Sequence, residues 1–274
     1  MKRLAALFIL FLSSAAHAEP HRIVSLNPCL DTVLVDVADR RQIAALSHFA
    51  RDKVSSSIAD IAATIPITRE SAEEVMAFDP DLVLTSRHSS LPTRNALRSV
   101  NIKIELFNEP KSVAESLAQI RTIAALANRE ARGEELIARI EAALAAAAPP
   151  PGSAPVPGLV FQANGFSTGD GTLVDEMLRR TGFTNAASRY GLKGWGNIAL
   201  ERVVADPPAI LLAGVMRADT PTWADRILRH PALRNTKNKM KVYTFPDRLI
   251  YCSGPVLIKA AAALREARQM AESE

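Results

Sequence analysis

Residues 73–84, EEVMAFDPDLVL, and residues 201–212, ERVVADPPAILL, follow one plan and lie 128 positions apart. Five of the twelve positions are identical (Glu73/Glu201, Val75/Val203, Ala77/Ala205, Pro80/Pro208 and Leu84/Leu212), and three more pairs are apolar in both. Each copy opens on an acidic residue and continues as a short amphipathic helix. Proline then stops the helix, and an apolar, partly β-branched run follows, expected as a buried strand. Only two copies occur, which predicts two lobes of similar build rather than a solenoid.

Outward from this pair, strand-like and helical patterns alternate. Strands are expected at 22–26, 43–47, 82–86, 103–107, 159–162, 210–213 and 242–245, and helices at 31–37, 72–78, 93–100, 173–180 and 223–228. Such alternation predicts parallel α/β sheets with right-handed crossovers. The middle differs. Residues 112–127 read as one helix, and 129–148 as a second, with Asn128 as its expected cap. Leu136, Ile140 and Leu144 form an apolar stripe on the second helix, with Ile137 beside it. About twenty helical residues reach roughly 30 Å, the width of a small domain. Pro149-Pro150-Pro151 ends the helix, and 152–157 is a stiff connector. The expected organisation is an N-terminal α/β lobe at 19–127, an interlobe helix and connector at 128–157, and a C-terminal α/β lobe at 158–274.

At the amino end, Lys2 and Arg3 precede an apolar run over 4–12 and then Ala16-His17-Ala18. That is the plan of a secretory signal cut after Ala18. The run is too short to span a bilayer, and no cysteine stands at the cut, as a lipid anchor there would need. An exported, periplasmic product is expected, and about 256 of the 274 residues remain for two lobes. Loss of Lys2 and Arg3 lowers the formal charge from +4 to +2. With no basic cluster interleaved with aromatics, nucleic acid is not an expected partner.

Several features together resemble the periplasmic substrate-binding proteins with a helical backbone between lobes. These proteins serve ABC importers for cobalamin, ferric siderophores and haem. The features are the opening Arg22-Ile23-Val24-Ser25-Leu26-Asn27-Pro28, the paired Glu…Pro-strand units, the interlobe helix, and the helix that follows Gly254-Pro255. The resemblance covers nearly all of the mature chain. It implies two Rossmann-like α/β lobes joined by a long rigid interlobe helix, with the ligand cleft between the lobes. It also implies one glutamate per lobe that docks into arginine pockets of a permease dimer, and Glu73 and Glu201 match those positions. A carboxylate at a helix start gains from the dipole and suits bidentate pairing with Arg. Glu74 is the rival for Glu73.

Ligands of parallel α/β lobes lie beyond the carboxyl ends of the strands. Those loops are 27–30, 48–52, 87–91 and 108–110 in the first lobe, and 164–172, 190–195, 216–220 and 248–253 in the second. Candidate ligand contacts are Asn27, His48, Phe49, Arg87, His88, Phe166, Trp195, Arg248 and Tyr251. Trp195 matches a family position that stacks on flat ligands, and Phe166, Tyr251 and Phe49 supply apolar walls. Arg87 and Arg248 suit carboxylate or phosphate groups. The run Gly165–Gly171 is expected to expose backbone N–H groups near a helix start, although its spacing is not that of a nucleotide loop. For haem, His48, His88 or Tyr251 would serve as axial ligand. His48 and His88 also keep zinc or manganese binding as the alternative, without an evident third histidine. His21 lies near the amino end, and His230 reads as a surface residue.

Cys29 and Cys252 fall in cleft-side loops of opposite lobes in the resemblance. Three readings stay open: an interlobe bridge, a pair of soft metal ligands, or two unrelated thiols. No Gly-x-Ser-x-Gly elbow is expected, no His-Glu-x-x-His or Cys-x-x-Cys occurs, and no ordered Ser, His and Asp set stands out, so a secreted hydrolase is the less favoured class. The expectation is a monomeric carrier rather than an enzyme, without a resident cofactor. Its bound metal chelate is cargo, and it touches the membrane only through the permease.

Overall fold

The computed structural model describes residues 22–215, 226–235 and 239–273. The expected signal at 1–18, His21, the loop 216–220 and the first half of the helix expected at 223–228 lie outside the described residues. Of that last helix, Ile227–Arg229 forms a 3-10 turn.

The chain opens as β1 (Ile23–Ser25) and turns directly into α1 (Pro28–Val37). The turn is written in the local sequence. Asn27 accepts from the Cys29 and Leu30 amides at 2.9 and 3.2 Å, and Pro28 occupies the first helical turn, where its missing N–H costs nothing. There follow β2 (Ile43–Ser47), α2 (Ala59–Ala62), β3 (Ile67–Thr68), α3 (Ala72–Ala77), β4 (Leu82–Ser86), α4 (Leu91–Ser99) and β5 (Lys103–Phe107). The five strands form one parallel sheet in the order β3-β2-β1-β4-β5.

Two long helices come next, α5 (Val113–Leu126) and α6 (Glu130–Ala147). Asn128, expected as the cap of α6, instead adopts φ +52°, a left-handed turn that separates the helices, and Arg129 takes the capping position without a side-chain bond. The second lobe contains β6 (Val156–Phe161), β7 (Phe166–Thr168), α7 (Leu173–Arg180), β8 (Phe183–Asn185) and β9 (Trp195–Asn197). It continues through α8 (Leu200–Ala205), β10 (Ile210–Ala213), α9 (Pro231–Asn235), β11 (Lys241–Thr244) and α10 (Val256–Glu272). Its parallel sheet runs β11-β10-β6-β8, and β7 and β9 form a separate antiparallel ribbon.

The sequence repeat is a structural repeat. The two copies are α3–β4 and α8–β10. β4 lies between β1 and β5, as β10 lies between β6 and β11. Alternate residues of each repeat strand feed opposite faces. Leu82, Leu84, Ile210 and Leu212 join one core, whereas Val83 packs under α3 and α4, and Leu211 and Ala213 pack under the outer layer of the second lobe. Complete burial of each such aliphatic side chain is worth about 1.5–3 kcal/mol.

The core that takes the inner faces of both sheets is continuous. It contains Val33, Leu34 and Val37 of α1, Ile120 and Ile123 of α5, Leu136, Ile140 and Leu144 of α6, and Leu257, Ala261 and Leu264 of α10. The interlobe helix is therefore no free-standing rod; it sits within a helical layer shared by both lobes. Gly133 lets α6 approach α5, since a Cβ there would stand 2.6 Å from the Ala124 Cβ. At the far end, Asp39 accepts from the Arg132 guanidinium at 2.8 Å and from Arg129, which holds its carboxyl below the usual range.

Asp31, in the first turn of α1, is fully buried, and its carboxylate accepts from the Ser47 hydroxyl at 2.6 Å and the Ser47 amide at 3.2 Å. Burial outweighs these bonds and pushes its pKa up to about 7. In the unfolded chain the group ionises near 4. Between about pH 4 and 7 the unfolded state therefore binds fewer protons, and the group's contribution to stability falls as pH rises, by about 1.4 kcal/mol per unit. Urea unfolding of Asp31→Asn across this range is expected to lack that slope, so the variant gains on the parent with rising pH and the difference levels off above pH 7. Parallel pH profiles would overturn the assignment.

Candidate ligand-binding cleft

The carboxyl ends of the strands in both lobes converge on one seam. From the first lobe come Asn27 after β1, Ser86 and His88 at the end of β4, and Phe107 to Pro110 at the end of β5. From the second come Leu173 and Val174 of α7, Trp195 of β9, and Ile250 to Ser253 after β11. Together they enclose a cleft of about 280 Å³ with Leu30, Phe107 and Ile250 in its walls.

Trp195 is set by local structure. The ribbon pairs Thr168 with Trp195 and Phe166 with Asn197, and the Phe166 ring stacks behind the indole at 5.5 Å and 17°. The Asn185 amide donates to the Thr168 carbonyl at 2.9 Å and ties the ribbon to the lobe. The indole remains 39 % exposed and offers a flat apolar wall. His88 lines the same cleft. So does Ser253, which is 4 % exposed and whose hydroxyl has no hydrogen-bond partner.

Cys29 and Cys252 form a disulfide, with Cα atoms 4.9 Å apart across 223 residues of sequence. Of the three readings open from sequence, the bridge holds, and neither thiolate is available to a metal. Two hydrogen bonds also tie the lobes together: the Gly254 amide donates to the Ser116 hydroxyl at 2.9 Å, and the Val113 amide to Glu176 Oε2 at 2.8 Å. The cystine and Tyr251 also border a second hollow of about 270 Å³, which contains Phe49 and Arg248.

The sequence candidates therefore divide. Asn27, His88, Trp195 and Tyr251 line the first cleft, although the Asn27 carbonyl oxygen is occupied by the α1 cap. Phe49, Arg248 and again Tyr251 line the second hollow. Phe166 backs Trp195 and does not line the cleft. His48 turns to Glu70, Nδ1 lying 3.9 Å from Oε1, and belongs to neither space. Burial raises the Glu70 pKa, opposed by the nearby imidazole. Arg87 is exposed outside both spaces. His230 is exposed, as expected. Among the described residues, no three His, Cys, Asp or Glu side chains gather as a metal set.

The expected anion cradle at Gly165–Gly171 does not form. The Gly165, Gly169 and Gly171 amides donate to Gln162 O, Gly194 O and Asp175 Oδ2, and the residues between, Phe166–Thr168, pair as a ribbon with β9. The same run, Gly165-Phe166-Ser167-Thr168-Gly169, spells Gly-x-Ser-x-Gly, so the spacing of a hydrolase elbow is present in the sequence against expectation, although the structure does not form one. Ser167 is fully buried in β7, and its hydroxyl donates to Gly165 O at 3.1 Å. An elbow serine instead stands exposed on a strand-to-helix turn. Sequence reasoning also passed over Gln119 of α5, whose amide donates to Asn108 O at 3.0 Å and steadies the β5 loop at the cleft. Its signal was a polar residue, with Ser116, on the otherwise apolar face of Val113, Leu117, Ile120 and Ile123.

Glu73 and Glu201 are both exposed, in the first turns of α3 and α8, and among the described residues no hydrogen bond or ion pair engages either carboxylate. The rival Glu74 is engaged, accepting from the Thr68 hydroxyl at 3.1 Å and from the Arg69 amide.

Residues 23–249 match the sequence profile of the family described as Periplasmic binding protein. The chain belongs to that family. It is 25 % identical over 202 residues to a cobalamin-binding protein of Halobacterium salinarum, covering 72 % of this chain; it spans only 55 % of that relative's length. The periplasmic heme-binding protein RhuT from Roseiflexus sp. RS-1 superposes with a TM-score of 0.71 at 23 % identity, covering 90 % of this chain and 98 % of RhuT. The periplasmic vitamin B12 binding protein BtuF of Vibrio cholerae gives a TM-score of 0.66 at 14 % identity, with 93 % and 99 % covered. These likenesses bear on the fold: two α/β lobes with a cleft between them, in a family of binding proteins.

The disulfide closes a very long loop, for which a stabilisation of about 2–5 kcal/mol is typical. Thiol titration of unfolded, unreduced protein is expected to find no free thiol, and Cys29→Ser with Cys252→Ser should lower unfolding stability by that order. Two titratable thiols would contradict the bridge.

Proposed function

We propose that this chain is the periplasmic substrate-binding protein of an ABC importer, a carrier and not an enzyme. Its cargo is a bulky metal chelate, a corrinoid or a ferric siderophore. The observation that carries this reading is the interlobe cleft at the strand ends, with an exposed indole braced by a second ring and no assembled catalytic set. An apolar wall with a few convergent polar groups suits a large flat or globular ligand. The similarity to a cobalamin-binding protein supports the corrinoid. Haem stays within the same chemistry, because His88 and Tyr251 both border the cleft and each is a competent axial ligand.

Delivery follows from the repeat. Helices that cross between parallel strands run antiparallel to them, so the first turns of α3 and α8 lie at the carboxyl edges of the two sheets. Those edges border the cleft. Glu73 and Glu201 are then equivalent free carboxylates on either side of its mouth, suited to guanidinium pockets on a two-fold permease. The cystine and the two interlobe hydrogen bonds tie the lobes together. Release therefore works by opening the mouth about those ties rather than by separating the lobes.

Titration of the intrinsic tryptophan fluorescence with cyanocobalamin, hemin and ferrichrome is expected to reveal saturable binding of at least one at a stoichiometry near one. Tight zinc or manganese binding with none of the three would overturn the reading. In cells, Glu73→Lys combined with Glu201→Lys is expected to abolish ligand-dependent uptake while affinity in solution stays within about twofold. Loss of affinity would contradict docking as the role of these residues.

A further inference from the structure

We infer that the cystine divides the interlobe trench into two compartments, and that the one around Arg248 receives a carboxylate or phosphate arm of a ligand whose bulk rests against Trp195. This rests on the carrier reading and specifies the ligand it takes. Cys29, Cys252 and Tyr251 are common to both spaces, so the disulfide stands as the wall between them. With Cα atoms only 4.9 Å apart it is a narrow wall, and a linker of a few bonds crosses it.

The two compartments differ in charge. Apart from the Tyr251 phenol, the ionisable side chains of the first are His88 and Glu109, which disfavour an anion unless the imidazole is protonated. Arg248 is the charged residue of the second, and no carboxylate lines that space. Arg248 projects from the 3-10 turn Asp247–Leu249, and among the described residues neither an ion pair nor a hydrogen bond engages its guanidinium. Beside it are Ser55, Ser56 and Ser57. The Ser55 hydroxyl donates to Asp52; the Ser56 hydroxyl accepts from the Ile58 amide and keeps its O–H to donate, as does the Ser57 hydroxyl among the described residues. Phe49, 47 % exposed, covers the apolar side. An unpaired guanidinium with a free hydroxyl beside an apolar ring is a site for an anionic group carried on a larger body. The hollow of about 270 Å³ accommodates such an arm.

The test compares ligands that differ in the arm. Affinities of the unmutated protein, Arg248→Gln and Ser57→Ala are measured for cyanocobalamin against dicyanocobinamide, which lacks the phosphate arm, and for hemin against its dimethyl ester, which lacks the free carboxylates. A ferric tricatecholate against the uncharged ferrichrome extends the comparison to siderophores. Arg248→Gln is expected to weaken the anionic member of the bound pair by about tenfold or more, as loss of a charge-assisted bond does, and its partner by less than twofold. The pair that responds tells phosphate from carboxylate. Equal losses within every pair, or none, would overturn the inference while leaving the carrier reading intact. An unmutated protein that binds no member of any pair overturns both. Arg248 is exposed, and an unchanged circular dichroism spectrum separates loss of binding from misfolding.

Discussion

The close packing of α5, α6, α1 and α10 into one layer is the constraint on which the rest depends. A parallel sheet must bury both faces, and here the inner faces of two sheets are buried against the same helices. Leu136, Ile140 and Leu144 of α6 thus contribute to the stability of both lobes at once. Gly133 allows the approach that makes the layer dense. The two globules share a core in this way, and the trench runs along the seam between them.

The lobes are also tied by specific bonds. The cystine, the Ser116–Gly254 bond and the Val113–Glu176 bond all join segments that begin or precede helices, where free backbone N–H groups are available to be satisfied. What these ties leave open is the mouth, bordered by strand ends and by the first turns of the repeated helices. The same repeat unit carries a free acid at its helix start and, in the first lobe, a cleft residue just beyond its strand. A short rigid strand therefore links the surface proposed to meet the permease with the space proposed to hold the cargo.

Much of the fold was legible in the residues. The strands β2, β4, β5 and β10 coincide with their expected runs because dense apolar stretches sit between prolines, polar caps and turns. The two-residue β3, and β7, β8 and β9, were not expected, since strands of two or three residues carry no usable periodicity and exist only through their neighbours. The Gly165–Gly171 run shows the cost. Its glycines permit either an open anion cradle or a hairpin ribbon, and pairing with β9 chose the ribbon. His48 and Arg87 were placed at the cleft by their position after strands, but side-chain direction depends on the turn that follows each strand.

From the sequence alone came the two-lobed α/β plan, the equivalence of Glu73 and Glu201 and the long apolar-striped helix, all encoded in local pattern and spacing, while Trp195 was marked by the family resemblance. Only the tertiary structure decided that Cys29 and Cys252 meet, that Glu74 is engaged while Glu73 is free, and that Trp195 and Arg248 lie in separate compartments. Those outcomes rest on distances between segments remote in the chain, and such distances are set by how helices and sheets pack, on which neighbouring residues carry no information.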